Sequence, residues 1–377
     1  MSSSLFSPFD IGGTTLQNRI IVSPMCQYSA ENGVAGDWHI MHIGQFATAN
    51  PGLIFLEGTA VSPEGRITPY DLCLYNEAQK DGIARVVSFV KAHSDTRIGI
   101  QLFHAGRKGS QYRPWDKGTE YGGGDMIAPK DGGWDLSAPS AMAYSDEFAC
   151  PRELSLSDLD TIKLGFVKSA KLALDAGIDT VELHYAHGYL LHSFLSPISN
   201  TRSDIYGGSE RNRMRFPLEV FKAVRNIWPH DKPLGARISG SDFGTSEHGN
   251  TVENAISFAQ ALVAEGCDYL DVSGGFLSPD QDFMSAYGPG FQVKLAQQVK
   301  AAVNVPVFSV GVISGAQQAE DIIKHGQADA VALARGMLYD PRWPWHAAYK
   351  LGVTPKFPPQ YERTFSFGYP EMFESLN

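Results

Sequence analysis

Eight short apolar runs, each leading into a polar or glycine-rich stretch, constrain this chain more than any other feature. They are Ile20–Pro24 (IIVSP), Leu53–Glu57 (LIFLE), Ile98–Phe103 (IGIQLF), Thr180–His184 (TVELH), Leu234–Ser239 (LGARIS), Tyr269–Ser273 (YLDVS), Val305–Val310 (VPVFSV) and Ala330–Ala334 (AVALA). Near-continuous apolar runs without alternation read as parallel strands buried on both faces. Amphipathic segments lie between them. Ser157–Ala176 carries Leu159, Ile162, Phe166, Ala170 and Ala173 at helical spacing, with Ser157 and Asp160 as a capping box and Gly177 as its stop. Ser314 and Gln317 open a similar helix ending near Gly326, and Thr251–Glu265 ends at Gly266. Three times the order is helix, glycine, aspartate, strand: Gly177-Ile-Asp179, Gly266-Cys-Asp268 and Gly326-Gln-Ala-Asp329. Eight strands alternating with helices predict an α/β fold, a single (β/α)8 TIM barrel.

Length permits that answer. At 377 residues, one barrel with insertions accommodates the chain as well as two or three smaller domains do. No linker separates two units, so residues 1–377 are read as one domain. The stretch 105–156 breaks the rhythm after the third strand and is rich in Gly, Asp, Tyr and Trp. It is expected to be a lid-like insertion over the barrel's C-terminal mouth. Residues 352–377 form a tail in which Pro355, Pro358 and Pro359 argue against further helix.

Charge and cysteine usage narrow the function. A net charge of -10 disfavours nucleic acid as a partner. No stretch approaches 18 uninterrupted apolar residues, and the N-terminus lacks the basic and apolar segments of a secretory signal. Cys26, Cys73, Cys150 and Cys267 are scattered without a CxxC, which fits reduced thiols in the cytoplasm and argues against zinc ribbons and iron–sulfur clusters. Neither a GxGxxG after a strand nor a Walker A motif occurs.

In a TIM barrel the chemistry sits at the C-terminal strand ends. The first carries Pro24, Met25, Cys26, Gln27 and Tyr28, the second Glu57 to Ala60, the third Gln101 to Lys108. The fourth carries His184, His187 and Tyr189, and the fifth Arg237. Gly311 and the pair Ala334 and Arg335 close the seventh and eighth, the usual phosphate site of such barrels. The alternative there is an ordinary glycine turn with a surface arginine. His184 and His187 have three readings: a metal pair, two structural histidines, or two neutral donors aimed at one substrate oxygen. Without a third ligand nearby the metal reading is the weakest, and Tyr189, a potential proton donor, favours the last. Arg237, inside an apolar strand, must be paired. It is either a partner of Glu182 or Asp271, or a cation beside an electron-rich cofactor edge. Gln101 both donates and accepts, which suits a carbonyl–NH edge.

These residues resemble the Old Yellow Enzymes, flavin-dependent ene-reductases, and more closely their thermophilic-like and xenobiotic reductase subclass. The matching stretches are LFSPFDIGGTTLQNRIIVSPMCQYSA, GDWHIMHIGQFA, IQLFHAGRKG, GIDTVELHYAHGYLLHSFLSPISNTRSDIYGGSERNRMRF, VGVISGAQQAEDII and QYERTF. The resemblance implies non-covalent FMN, NADPH or NADH as hydride donor, and an activated alkene, an enone or nitro compound, as substrate. By position it implies that Pro24, Met25, Cys26, Ala60, Gln101 and Arg237 hold the flavin ring, with Cys26 tuning it. Gly311, Ala334 and Arg335 hold its phosphate. It further implies that His184 and His187 bind the substrate oxygen, that Tyr189 donates the proton and that Tyr28 contacts substrate. Arg363 resembles the arginine that some members insert into a neighbouring subunit's site, which implies a homodimer or a dimer of dimers. The chain departs from the family pattern at Phe46, Ala334 and Tyr339. The rival reading is a flavin-free barrel lyase or aldolase that binds a phosphorylated substrate at Gly311 and Arg335. No metal is expected under the flavin reading.

Overall fold

The computed structural model describes residues 3–116, 125–243, 249–282, 285 and 287–364. Eight parallel strands close into a barrel in chain order: β1 (Ile20–Val22), β2 (Leu53–Ala60), β3 (Arg97–Phe103), β4 (Thr180–Tyr185), β5 (Leu234–Ser239), β6 (Tyr269–Ser273), β7 (Val307–Ser309) and β8 (Ala330–Leu333). All eight predicted strands are present, and β5 and β6 have the predicted bounds. Around them run α1 (Asp37–Ala47), α2 (Glu77–His93), α3 (Leu156–Asp175), α4 (Leu190–Leu195), α5 (Glu210–Arg225), α6 (Val252–Ala264), α7 (Val293–Lys300), α8 (Ala316–Lys324), α9 (Arg335–Tyr339) and α10 (Trp343–Lys350). Almost every strand residue is buried, as expected where helices cover one sheet face and the barrel interior fills the other.

The recurring glycine–aspartate pattern has a physical cause. Gly177, Gly266 and Gly326 all adopt left-handed backbone just past a helix end, where a side chain would be strained. Each following aspartate accepts a backbone N–H at or next to the start of the preceding strand: Asp179 from Ile98, Asp268 from Leu234, Asp329 from Val307. Each also meets a cation from a neighbouring helix, namely Lys91, Arg225 and Lys300. The repeat therefore pins successive strands in register at the barrel's N-terminal end.

That end is sealed. Phe55, Tyr269 and Phe308 fill the interior, the last two rings stacked 4.8 Å apart. Gly235 makes room, since a Cβ there would come within 2.1 Å of the Tyr269 ring. An antiparallel hairpin, Phe9–Ile11 with Thr14–Leu16, closes the bottom by burying Ile11 and Leu16. Only the C-terminal mouth is left for chemistry.

Two helix starts differ from expectation. The α3 capping box is Ser155 with Asp158, not Ser157 with Asp160. Both pairs share the S-x-x-D spacing, so the spacing alone does not choose between them. The N-cap of α8 is Gly315, not Ser314, and Gln318 rather than Gln317 accepts the Ser314 N–H. In the tail, Pro359–Thr364 forms a 3-10 turn, because proline is tolerated at a helical first position. Part of the 105–156 insertion is tied down: Arg202 donates to the carbonyls of Pro139 and Leu154, and Ser140 accepts from the Thr201 N–H.

Candidate active site

Pairing register brings the polar strand residues together. Gln101 on β3 sits beside Glu182 on β4, His184 on β4 beside Arg237 on β5, and Arg237 beside Asp271 on β6. Neighbouring strands lie about 4.8 Å apart, so registered side chains meet. Gln101 Nε2 donates to Glu182 Oε1 at 2.8 Å, which leaves the Gln101 carbonyl oxygen for a ligand N–H. Arg237 Nε stands 3.4 Å from Asp271 Oδ2. Burial raises both Glu182 and Asp271, Asp271 raises Glu182 further, and Arg237 opposes the rise in each. The ion pair considered for Arg237 is therefore formed with Asp271, but it does not use up the side chain. Buried at 6% exposure, its guanidinium makes no hydrogen bond among the described residues, and Nε meets Asp271 only as an ion pair.

Above this polar floor lies a cavity of about 260 Å3 lined by Pro24, Cys26, Tyr28, Gly58, Gln101, Phe103, His184, His187, Tyr189 and Arg237. Eight of the residues singled out from sequence thus share one cavity. Ala60 lies behind the wall, in one apolar cluster with Phe103, Cys26, Tyr28 and Tyr189. Met25 packs on the main core. Gly311, Ala334 and Arg335 lie apart from the cavity lining at the ends of β7 and β8. Gly311 has left-handed backbone, φ 118°, and Val312 follows at φ 49°. Arg335 is exposed and donates to the Tyr287 hydroxyl. Arg363 is exposed as well. Its neighbour Tyr361 packs on its own chain, with Arg342 between the Tyr361 and Trp345 rings. Phe365 and residues 366–377 lie outside the described residues.

Desolvation holds both imidazoles well below the usual histidine range, with Arg237 adding to the effect, so both are neutral donors and acceptors. His187 Nδ1 is 3.3 Å from His184 Nε2, and His187 Nε2 is 2.7 Å from Ser273 Oγ. His184 Nδ1 is buried without a partner. Burial raises Tyr189 well above the ordinary phenol value, so it carries its proton. Its ring packs against Phe103 at 5.2 Å and His184 at 5.3 Å. Lys108 Nζ lies 5.2 Å from the same ring and donates to the carbonyls of His187 and Phe276. Burial and Arg107 pull its ammonium down to about 7.

The segment bearing Cys26 and Tyr28 is held from behind. Gln27 N–H donates to Glu57 Oε2 at 2.8 Å, and His39 Nε2 lies 3.2 Å from Glu57 Oε1, with both side chains buried. Tyr28 sits at φ 48°. Desolvation, Glu57 and Asp71 raise the Cys26 thiol well above its ordinary value, which disfavours the thiolate that a nucleophile needs. For the flavin that the resemblance implies, Cys26→Ser is expected to leave FMN content and turnover intact and to shift the flavin potential, read by dye-coupled redox titration. Complete loss of turnover with FMN retained would contradict it.

Sequence reasoning passed over Ser273 and His39, and placed Glu57, Phe103 and Lys108 at strand ends without giving them a role. Ser273 ends YLDVS and could have been found by reading the sixth strand end as the others were read. Among the described residues no group of three or more His, Cys, Asp or Glu side chains is placed to hold a metal ion. No described helix is long and apolar enough to cross a membrane.

A buried arginine with spare donors and a glutamine carbonyl fit a planar ring with a carbonyl–NH edge. Fold and cavity together define a barrel flavoenzyme. The chain belongs to the NADH:flavin oxidoreductase / NADH oxidase family, whose profile it matches over residues 4–353. It is 40% identical over 369 residues to the NADPH dehydrogenase of Geobacillus sp. (strain WCH70), covering 97% of this chain and 100% of that one. It is 37% identical over 365 residues to the NADPH dehydrogenase of Clostridium acetobutylicum, covering 96% and 99%. The structure of morphinone reductase superimposes with a TM-score of 0.75 at 28% identity, covering 96% of this chain and 93% of that one. The protein is an Old Yellow Enzyme-type oxidoreductase that uses FMN and NAD(P)H, which displaces the flavin-free lyase reading.

Proposed function

We propose that the enzyme reduces the activated C=C bond of α,β-unsaturated carbonyl or nitro compounds. FMN, when bound, would supply two-electron hydride chemistry between NAD(P)H and the substrate. The observation that carries the substrate class is the placement of two neutral imidazoles and one protonated phenol around a single cavity. His184 and His187 donate to the substrate oxygen, which gains negative charge as the β-carbon is reduced. Tyr189 gives its proton to the α-carbon. Tyr28 and Phe103 wall the substrate and exclude water. Arg237 and Gln101 hold the flavin's carbonyl–NH edge, with Pro24, Met25, Cys26 and Ala60 along the ring. Gly311, Ala334 and Arg335 hold the phosphate. The scattered, unpaired cysteines fit a cytoplasmic enzyme. The test is NADPH oxidation against a panel of enones, nitroalkenes and isolated alkenes under anaerobic conditions. Turnover with the first two and none with the third is expected, and NADPH oxidation that neither enones nor nitroalkenes accelerate would overturn the reading.

We further propose a homodimer or dimer of dimers in which Arg363 serves the neighbouring subunit's site. An exposed Arg363 on a tail anchored by Tyr361 to α10 of its own chain supports this. Mixing Arg363→Ala with Tyr189→Phe chains, each impaired alone and free to exchange subunits, is expected to restore part of the activity. A monomer that is fully active in dilute solution would rule the arrangement out.

A further inference from the structure

The loop that carries His187 and Tyr189 is conformationally costly. His187 and Gly188 are consecutive left-handed residues, at φ 59° and φ 73°. The histidine holds a sparsely populated backbone conformation that persists only where the surroundings over-determine it. Glycine is required next to it, because a Cβ on Gly188 would come 2.3 Å from the Phe276 carbonyl oxygen and 2.9 Å from Leu277 Cα. Two groups grip this turn. Lys108 Nζ donates to the His187 carbonyl at 2.9 Å. On the other side the buried Gly188 N–H donates to His192 Nδ1 at 2.9 Å.

His192 is the third residue of α4, whose N-cap is Tyr189. Its imidazole reaches back past the cap to the preceding amide, a capping-box contact displaced by one residue. Because Nδ1 accepts, the ring proton sits on Nε2, which lies 2.9 Å from Asp242 Oδ1. Asp242 Oδ2 is held in turn by the Ser196 hydroxyl at 2.8 Å and the Asn250 N–H at 2.7 Å. His192 and Asp242 are 1% and 2% exposed and are not among the residues lining the cavity.

We propose that Asp242 and His192 form a positioning relay. It fixes the His187–Gly188 turn, and through that turn it aims His187 and Tyr189 at the substrate. The relay touches neither substrate nor cofactor. It acts through one backbone amide, with Asp242 setting the tautomer that lets the imidazole accept.

Two isosteric variants separate its halves. In His192→Asn the side-chain amide takes the place of Nδ1 and keeps an acceptor for Gly188. In His192→Gln it takes the place of Nε2, keeps a partner for Asp242 and leaves the Gly188 amide unpaired. The readouts are amide hydrogen exchange of a peptide covering residues 186–195, the dissociation constant of a phenol titrated into the FMN-loaded enzyme, and kcat/KM for an enone. His192→Asn is expected to stay within about threefold of the parent enzyme on all three. His192→Gln is expected to exchange faster at Gly188 and to lose about tenfold in phenol affinity and in kcat/KM, as for one buried hydrogen bond. Equal behaviour of the two variants, intact or impaired, or an intact His192→Gln, would overturn the relay. The inference rests on the ene-reductase reading only for the third readout. A parent enzyme that binds phenol but leaves enones untouched would sink that reading, while exchange and phenol binding still judge the relay.

Discussion

Replacing Tyr189 by phenylalanine is expected to slow reduction of an enone by about 10²–10⁴-fold, the usual worth of a positioned general acid. The substitution removes only the hydroxyl. The ring contacts with Phe103 and His184 remain, so cavity shape and FMN content are expected to persist. Burial raises the phenol well above its ordinary value, so the side chain is protonated throughout the neutral range and no pH change in that range should mimic its loss. Stopped-flow kinetics separate the outcomes. Reduction of the flavin by NADPH is expected to stay within about tenfold of the parent rate, and the step that consumes the enone is expected to collapse. A nitroalkene, whose nitronate product is stable without carbon protonation, is expected to suffer much less. A uniform loss across both steps and both substrates would show that Tyr189 shapes the cavity and does not supply the proton.

The barrel was legible because its physics is written in composition along the chain. Parallel strands covered on both faces need unbroken apolar runs, and LGARIS and YLDVS mark β5 and β6 without error. The Phe9–Ile11 hairpin with Thr14–Leu16 was missed even though Gly12-Gly13 is a strong two-residue turn signal. Its strands are three residues long, too short for alternation to register. The helix starts slipped where Ser155 and Ser157 offer the same spacing to an acidic residue, and only the surrounding packing selects the first.

The cavity residues were legible by type and by position at strand ends, but their partners were not. Gln101 and Glu182 lie 81 residues apart in sequence, and no local pattern joins them until strand register does. The same holds for His187 with Ser273 and for Gln27 with Glu57. His192 carried no signal of its own inside an apolar helix, because its role depends on Asp242 and on the left-handed turn before it. Arg335 and Arg363 show the limit from the other side. Both are exposed arginines away from the cavity, and residue type alone does not distinguish a waiting ligand contact from a solvated charge.

Replacing His184 by alanine is expected to cost about 10²–10³-fold in enone reduction, the usual loss for one donor to a developing oxyanion. The energetic argument turns on neutrality. Arg237 stands beside His184 in strand register, and with desolvation it holds the imidazole well below its usual value. Protonating His184 would place a second cation beside Arg237, so the ring works as a neutral N–H donor and the rate should be flat with pH where an ordinary histidine titrates. The same displacement has a sign for stability. A folded-state value below the unfolded one means that acidification through the unfolded value favours the unfolded chain, so stability should fall as pH drops below about 6.5. His184→Ala is then expected to lose activity while becoming less sensitive to acid. Because His184 is 4% exposed, the alanine also leaves a void, and His184→Asn serves as the control that keeps a donor. Phenol affinity and single-turnover enone reduction should fall in the alanine variant and recover in part in the asparagine variant, with NADPH-driven flavin reduction less affected in both. Equal losses in the two variants would assign the histidine to packing and leave the substrate oxygen to His187 alone.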